Sequence, residues 1–322
     1  MADQRGSSAA SQRLEDVSLE VGARLKEFEA ALRVIDALRG AVDEGGSGDA
    51  LLRRLLGGHP AQPPGKAPKR RDDPVPIVVG QPVDLTSREL GPLPVLVIAT
   101  VPYRSLDQVG VVGLTADGQK RVVMFREGST ADPVAMDNLC RALEARALVP
   151  RLCVTDGGLA LDREVLDSFP TCLIAHADPY VERAVLSHLA DGPAQAVKAR
   201  LRAAFEQTGG EAEAALTALV ADMRPRAPGT YQTLSRHLGG VLALRRLGIP
   251  RPLERSLSRG AIVATCAKEA RVLGRPNAPV GEDPLLYGVE AWEAATRRLI
   301  GHGHLPALFE ALARRSETRQ VG

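Results

Sequence analysis

The sequence predicts an α/β fold. A mixed five-stranded sheet is joined by an all-helical insertion and C-terminal helices, and a separate helical segment precedes them. Three observations carry this. Short β-branched runs recur between residues 94 and 175, the chain beyond Tyr180 has helical patterning almost throughout, and a Pro/Gly-rich stretch at residues 57–76 divides the chain. The 322 residues suffice for one large domain or two ordinary ones. Hydrophobic residues make up 44% but aromatics only 3%, so the core must be built from Leu, Val and Ala.

Residues 1–15 are small and polar and read as a disordered tail. Val17, Val21, Leu25, Phe28, Leu32, Ile35 and Leu38 recur every three or four residues, which marks an amphipathic helix. Its apolar stripe needs a cover, either the main domain or a second copy of itself, so homo-oligomerisation through helix 17–38 is an expectation. Gly45–Gly48 separates it from a short helix around Leu51–Leu56, closing an N-terminal helical segment over 16–56. Gly57–Pro76 (GGHPAQPPGKAPKRRDDPVP) is a linker by composition, with a basic centre that suits phosphate contact or simple solvation.

The expected core spans 77–190. Pro94–Val101, Gln108–Leu114 and Arg121–Phe125 read as strands, and the Asp-Gly in Thr115–Lys120 joins the last two as a hairpin. A helix from Ser129–Pro133 to about Ala147 follows. After it come a strand ending at Asp156, a helix over Leu159–Ser168 and a fifth strand over Thr171–Ala175. Three antiparallel strands, helix, strand, helix, strand is the order of the ribonuclease-H-like fold. Helices are then expected over Val181–Ala190, Pro193–Gln207, Glu211–Met223 and Tyr231–Leu247, with Gly248–Gly260 irregular; residues 191–260 thus read as a helical insertion. Ala264–Leu273, Leu285–Ile300 and Leu305–Arg315 complete the core within 261–322.

Composition limits the function classes. Net charge is +2 and the pI near 8.4, which permits an acidic partner without requiring one. Cys140, Cys153, Cys172 and Cys266 lie far apart in apolar surroundings with no CxxC pair, and read as reduced core thiols of a cytoplasmic protein. No apolar run approaches the roughly 18 residues of a membrane span, and no signal-peptide-like apolar stretch is expected at the start. His176, His188, His237, His302 and His304 are scattered, and read as surface or satisfied core side chains.

The stretch with chemical meaning is Arg151–Gly158 (RLCVTDGG). A carboxylate at the end of a central strand faces the crevice where α/β sheets bind ligands. Mg²⁺ favours such a position because it takes carboxylate oxygens together with substrate phosphates.

Five segments in order resemble the mutator-type insertion-sequence transposases: FREGST (125–130), VTDGGLAL (154–161), VERAVLSHL (181–189), LGIPRPLERSL (247–257) and TRRLIGHGHLPAL (296–308). They run from about residue 90 to the C-terminus. The resemblance implies a ribonuclease-H-like core with an Asp, Asp, Glu metal triad and a helical insertion before the glutamate. It places the second aspartate at Asp156. The first falls on Ala99, within VIATV, and the glutamate on Ala264; Ala177 and Tyr180 stand where the family has Cys-x-x-His. Two-metal phosphoryl transfer needs carboxylates on both sides of ions about 3.5–4 Å apart. An alanine methyl has no lone pair, so the resemblance implies a catalytically inactive member that needs no metal; Mg²⁺ enters only if Asp107 or Glu269 rescues the triad.

Beyond Tyr231, Arg245, Arg246, Arg251, Arg255, Arg259, Lys268 and Arg271 are spaced to follow a phosphate backbone, or to form a solvated face paired with Glu254 and Glu269. The expectation is a transposase-derived DNA-binding or regulatory protein, dimeric, cytoplasmic and nucleoid-associated if it binds DNA. An active transposase with an unrecognised triad and a protein-interaction module without DNA binding are the alternatives.

Overall fold

A computed structural model describes residues 82–320, all within the unit Pro76–Gly322. The expectations for the tail 1–15, the helical segment 16–56 with its proposed dimerising helix 17–38, and the linker 57–76 lie outside the described residues.

In chain order the sheet elements are β1 (Val95–Tyr103), β2 (Leu106–Leu114), β3 (Lys120–Glu127), α1 (Pro133–Glu144), β4 (Leu152–Thr155), α2 (Leu159–Ser168) and β5 (Leu173–His176). The strand order is β3-β2-β1-β4-β5; β1, β2 and β3 are antiparallel, whereas β4 joins β1, and β5 joins β4, in parallel. The β2–β3 turn is set by Gly118 at φ 82°, a left-handed conformation that glycine adopts without steric cost. The β2–β3 register shifts between Val111 and Val112, and the Val122 N–H donates to Glu293 Oε1 at 2.6 Å.

Four helices follow, α3 (Asp178–Leu186), α4 (Asp191–Phe205), α5 (Gly209–Arg226) and α6 (Pro228–Arg246). They share a core of Val181, Leu201, Leu216, Leu234 and Leu242, and α6 also packs on β5. Next come α7 (Arg251–Ser258), α8 (Ile262–Gly274), α9 (Leu285–Ala295), a 3₁₀ turn at His302–His304 and α10 (Leu305–Gln320).

Side chains alternate across β1, as the period of a strand requires. Leu96 and Ile98 face Met136, Leu139, Leu161 and Val165 of α1 and α2. Val95, Val97, Ala99 and Val101 share the opposite core with Val263, Cys266 and Ala270 of α8, Trp292 of α9 and Leu308 of α10. A sheet with helices on both faces is therefore the architecture. Helices α8 and α9 approach closely at two glycines: a Cβ at Gly274 or Gly288 would fall 1.8 Å from the carbonyl oxygen of Pro284 or Ala270. Among the described residues, no helix is long and apolar enough to cross a membrane.

Two sequence expectations need correction. Residues 251–258, expected to be irregular, form α7; Pro250 and Pro252 sit at its start, where the first-turn N–H groups lack an intrahelical acceptor anyway. The expected helix Leu285–Ile300 stops at Ala295. Thr296 is extended (ψ 138°), and the Leu299 N–H is held by the Gly118 carbonyl at 2.9 Å, so a tertiary contact ends the helix.

Candidate functional site

Asp156 stands just past the end of β4, half-buried, and its carboxylate ties three segments together. Its Oδ2 accepts the Thr100 N–H at 2.9 Å and the Thr130 hydroxyl at 2.9 Å, and Oδ1 accepts the Gly158 N–H at 3.1 Å. The Thr100 hydroxyl completes the loop: it donates to Thr130 Oγ1 at 2.9 Å and accepts the Thr130 N–H at 3.1 Å. An ionised carboxylate offers roughly four lone-pair sites, and three are occupied by protein donors here.

Ala99 is buried on β1 opposite Gly110, and Val263 of α8 lies against that pair. Ala264, the next residue, is exposed. Asp107 is exposed and pairs with Pro102, three residues beyond Ala99, hence about 10 Å along the strand. Glu269 accepts the Trp292 indole N–H at 2.9 Å. Among the described residues, no group of three His, Cys, Asp or Glu side chains is arranged to hold a metal ion. Ala177 packs against Gly260, whose added Cβ would fall 2.2 Å from the alanine methyl. The Tyr180 phenol is pushed up by burial and by the nearby Asp156 carboxylate.

Beside Asp156 lies a buried polar chain. The Thr155 hydroxyl donates to Asp162 Oδ1 at 2.8 Å, and His176 Nε2–H donates to Asp162 Oδ2 at 2.7 Å. With that tautomer, His176 Nδ1 accepts from His237 Nδ1–H at 3.1 Å, leaving His237 Nε2 to accept from Arg236 at 3.3 Å. Burial, then His176, then Arg236 hold His237 down at about 4, so it is neutral near pH 7. Its ring leaves no room for a side chain at Gly157 (φ 77°), and the His176 ring leaves none at Gly240. Sequence reasoning read these histidines as scattered. Their 61-residue separation hides the contact, and no spacing signal could have found it.

The predicted phosphate-binding cations divide into three groups. Arg245 is internal, with its side chain 1% exposed: it donates to both Asp178 oxygens (3.1 and 2.8 Å) and to the carbonyls of Val241 and Phe205. From there it cannot reach a phosphate, which corrects the sequence expectation for this residue. Arg271 lies over the Tyr103 ring at 4.0 Å and bonds Asp283 and Gln108, while Arg246 pairs with Glu213 at 2.7 Å on the helical insertion. Lys268 is exposed on α8.

Arg251, Arg255 and Arg259, spaced four residues apart and so on one side of α7 and its C-terminal turn, do converge. They border a cavity of about 680 Å³ together with Lys120, Arg297 and Arg298, and none of its lining residues is acidic. Arg251 and Arg255 both pair with Glu206, Arg251 also with Glu254, and Arg298 pairs with Asp117 at 3.1 Å. Lys120 Nζ donates to the Arg297 carbonyl at 2.6 Å, and burial holds its pKa below the usual lysine value. Arg259 and Arg297 are exposed and have no acidic partner among the described residues. The sequence reading missed Lys120, Arg297 and Arg298; the last two lie in TRRLIGHGHLPAL, one of the five resembling segments. No protein-family model matches the chain, and no curated protein matches it.

Proposed function

We propose that this chain is a transposase-derived DNA-binding protein that keeps a ribonuclease-H-like scaffold and has lost strand-cleavage chemistry. The observation that carries the DNA half is the cation-lined cavity between α7, the N-terminal end of α8 and residues 296–300, whose lining residues include six cations and no carboxylate. Such a surface attracts a polyanion, and its phosphate contacts tolerate sequence. The strand order β3-β2-β1-β4-β5, with a helical insertion after β5, supports the scaffold reading.

The loss of chemistry is supported by the surroundings of Asp156. Thr100 and Thr130 give it hydrogen bonds where a two-metal site needs further carboxylates, and the aligned positions carry the methyl groups of Ala99 and Ala264. A regulator that occupies DNA without cutting it follows from these two features together.

The test is a pair of measurements on the full chain. Duplex DNA binding followed by fluorescence anisotropy should weaken as salt rises, and Arg259→Ala with Arg297→Ala should lower the slope of log K against log salt by about 2, roughly 0.9 per phosphate contact. No binding at low salt removes the DNA reading. Incubation with Mg²⁺ or Mn²⁺ should leave labelled DNA uncut; nicking or strand transfer abolished by Asp156→Ala would instead make the chain a working transposase.

A further inference from the structure

The cavity beside α7 has more than backbone binding requires. Phosphate contact needs only cations at a surface, yet this site is a recess of about 680 Å³, within the roughly 300–1,000 Å³ of small-molecule sites. Its lining is also partly apolar: Ile262 comes from α8, and Leu299 and Ile300 from the segment after α9. Ile300 is 75% exposed, an isoleucine left beside Arg297 and Arg298 without a covering side chain. Trp292 lines the cavity from the core, is 2% exposed, and spends its indole N–H on Glu269, so it offers the recess no donor.

A lining that holds both cations and hydrocarbon selects a ligand that is anionic in one part and flat and weakly polar in another. A nucleotide has that make-up. A base-paired duplex is too wide to enter, whereas one base swung out of a strand could leave its phosphate outside on the arginines. Guanidinium planes also stack on unpaired bases, and Arg259 and Arg297 carry no acidic partner that would hold them away.

We propose that this cavity receives a single unpaired nucleotide of the bound DNA, with its base against Ile262, Leu299 and Ile300 and its phosphate on Arg259 and Arg297. This rests on the DNA-binding reading and narrows it: the favoured substrate is DNA carrying an extrahelical or unpaired base. The charge complementarity favours a nucleotide over a neutral apolar ligand, and the size of the cavity favours one base over a stacked run.

Trp292 is the sole tryptophan of the chain and lines the cavity, so its emission gives a single-site reporter beside it. Two labelled duplexes, identical except for one central bulged nucleotide, are titrated into the full chain while anisotropy and Trp292 fluorescence are followed. The bulged duplex should bind about tenfold more tightly, the scale of stacking one base, and should alone change the Trp292 signal. Ile300→Ser removes exposed hydrocarbon without altering charge; it should abolish the bulge preference, bringing the bulged duplex down to the affinity of the paired one. Equal binding of both duplexes with a silent Trp292 overturns the proposal while the DNA-binding reading stands. Absence of binding to either duplex at low salt is the failure of that underlying reading, and the proposal falls with it. A full Trp292 response to free dAMP with no preference between duplexes also overturns it, because the site would then serve a free nucleotide.

Discussion

Replacing His237 with glutamine should flatten the acid side of the stability profile. His237 is buried between Gly157, His176 and Arg236, and holds its proton only below about 4, against 6.5 for an ordinary histidine. A depressed folded-state value means that the unfolded chain binds the proton first. Stability is therefore complete above about 6.5, falls as pH drops through this window, and reaches its full loss below about 4. At about 1.4 kcal/mol per pH unit, the gap of about 2.5 units corresponds to roughly 3 kcal/mol. The groups facing His237 are His176 from β5, with Asp162 of α2 behind it, and Arg236 from its own helix. A glutamine amide can still donate to His176 and accept from Arg236, but it has no proton to gain. Urea unfolding at intervals from pH 7 to 4 should show the native chain losing about 3 kcal/mol more than His237→Gln. With an m-value of about 3 kcal/mol/M, that is about 1 M in midpoint. Parallel curves for the two proteins would refute the assignment of the proton-linked loss to this ring.

Two further outcomes follow from charges tied to protein partners. Arg245→Met should destabilise the chain by about 3–5 kcal/mol, because Asp178 remains buried without its partner, and adding Asp178→Leu should recover much of that loss in the same urea assay; normal stability with weakened DNA binding would contradict the internal placement of Arg245. Asp156→Ala should cost about 2–3 kcal/mol by orphaning the Thr100 and Gly158 N–H groups, with DNA affinity unchanged whether or not Mg²⁺ is present. A loss of Mg²⁺-dependent binding in that variant would restore a metal role for the carboxylate.

Local patterns made much of the sheet legible. The β-branched runs, the Asp-Gly hairpin and the carboxylate after β4 are all signals carried within a few residues. The elements that misled were those decided at a distance. Helix α7, within the stretch expected to be irregular, carries Pro250 and Pro252 at its start, where a helix tolerates them, and α9 is cut short by a backbone bond from Leu299 to Gly118. The tandem Arg245-Arg246 shows the same limit: neighbours on a helix point about 100° apart, so one is sealed against Asp178 while the other reaches Glu213 at the surface. Likewise, the cations of the cavity come from residues 120, 251–259 and 297–298, and only the middle set was close enough in sequence to be read as a group.

The grip of Glu293 on β3 has a consequence outside this single molecule. Strand β3 is at the margin of the sheet, where main-chain donors are open to any passing strand. By taking the Val122 N–H while Arg88 donates to both of its oxygens and Arg121 to Oε2, Glu293 removes one of those open donors. At high concentration copies of the chain would meet often, and this carboxylate leaves one fewer main-chain donor on that margin for another strand to take.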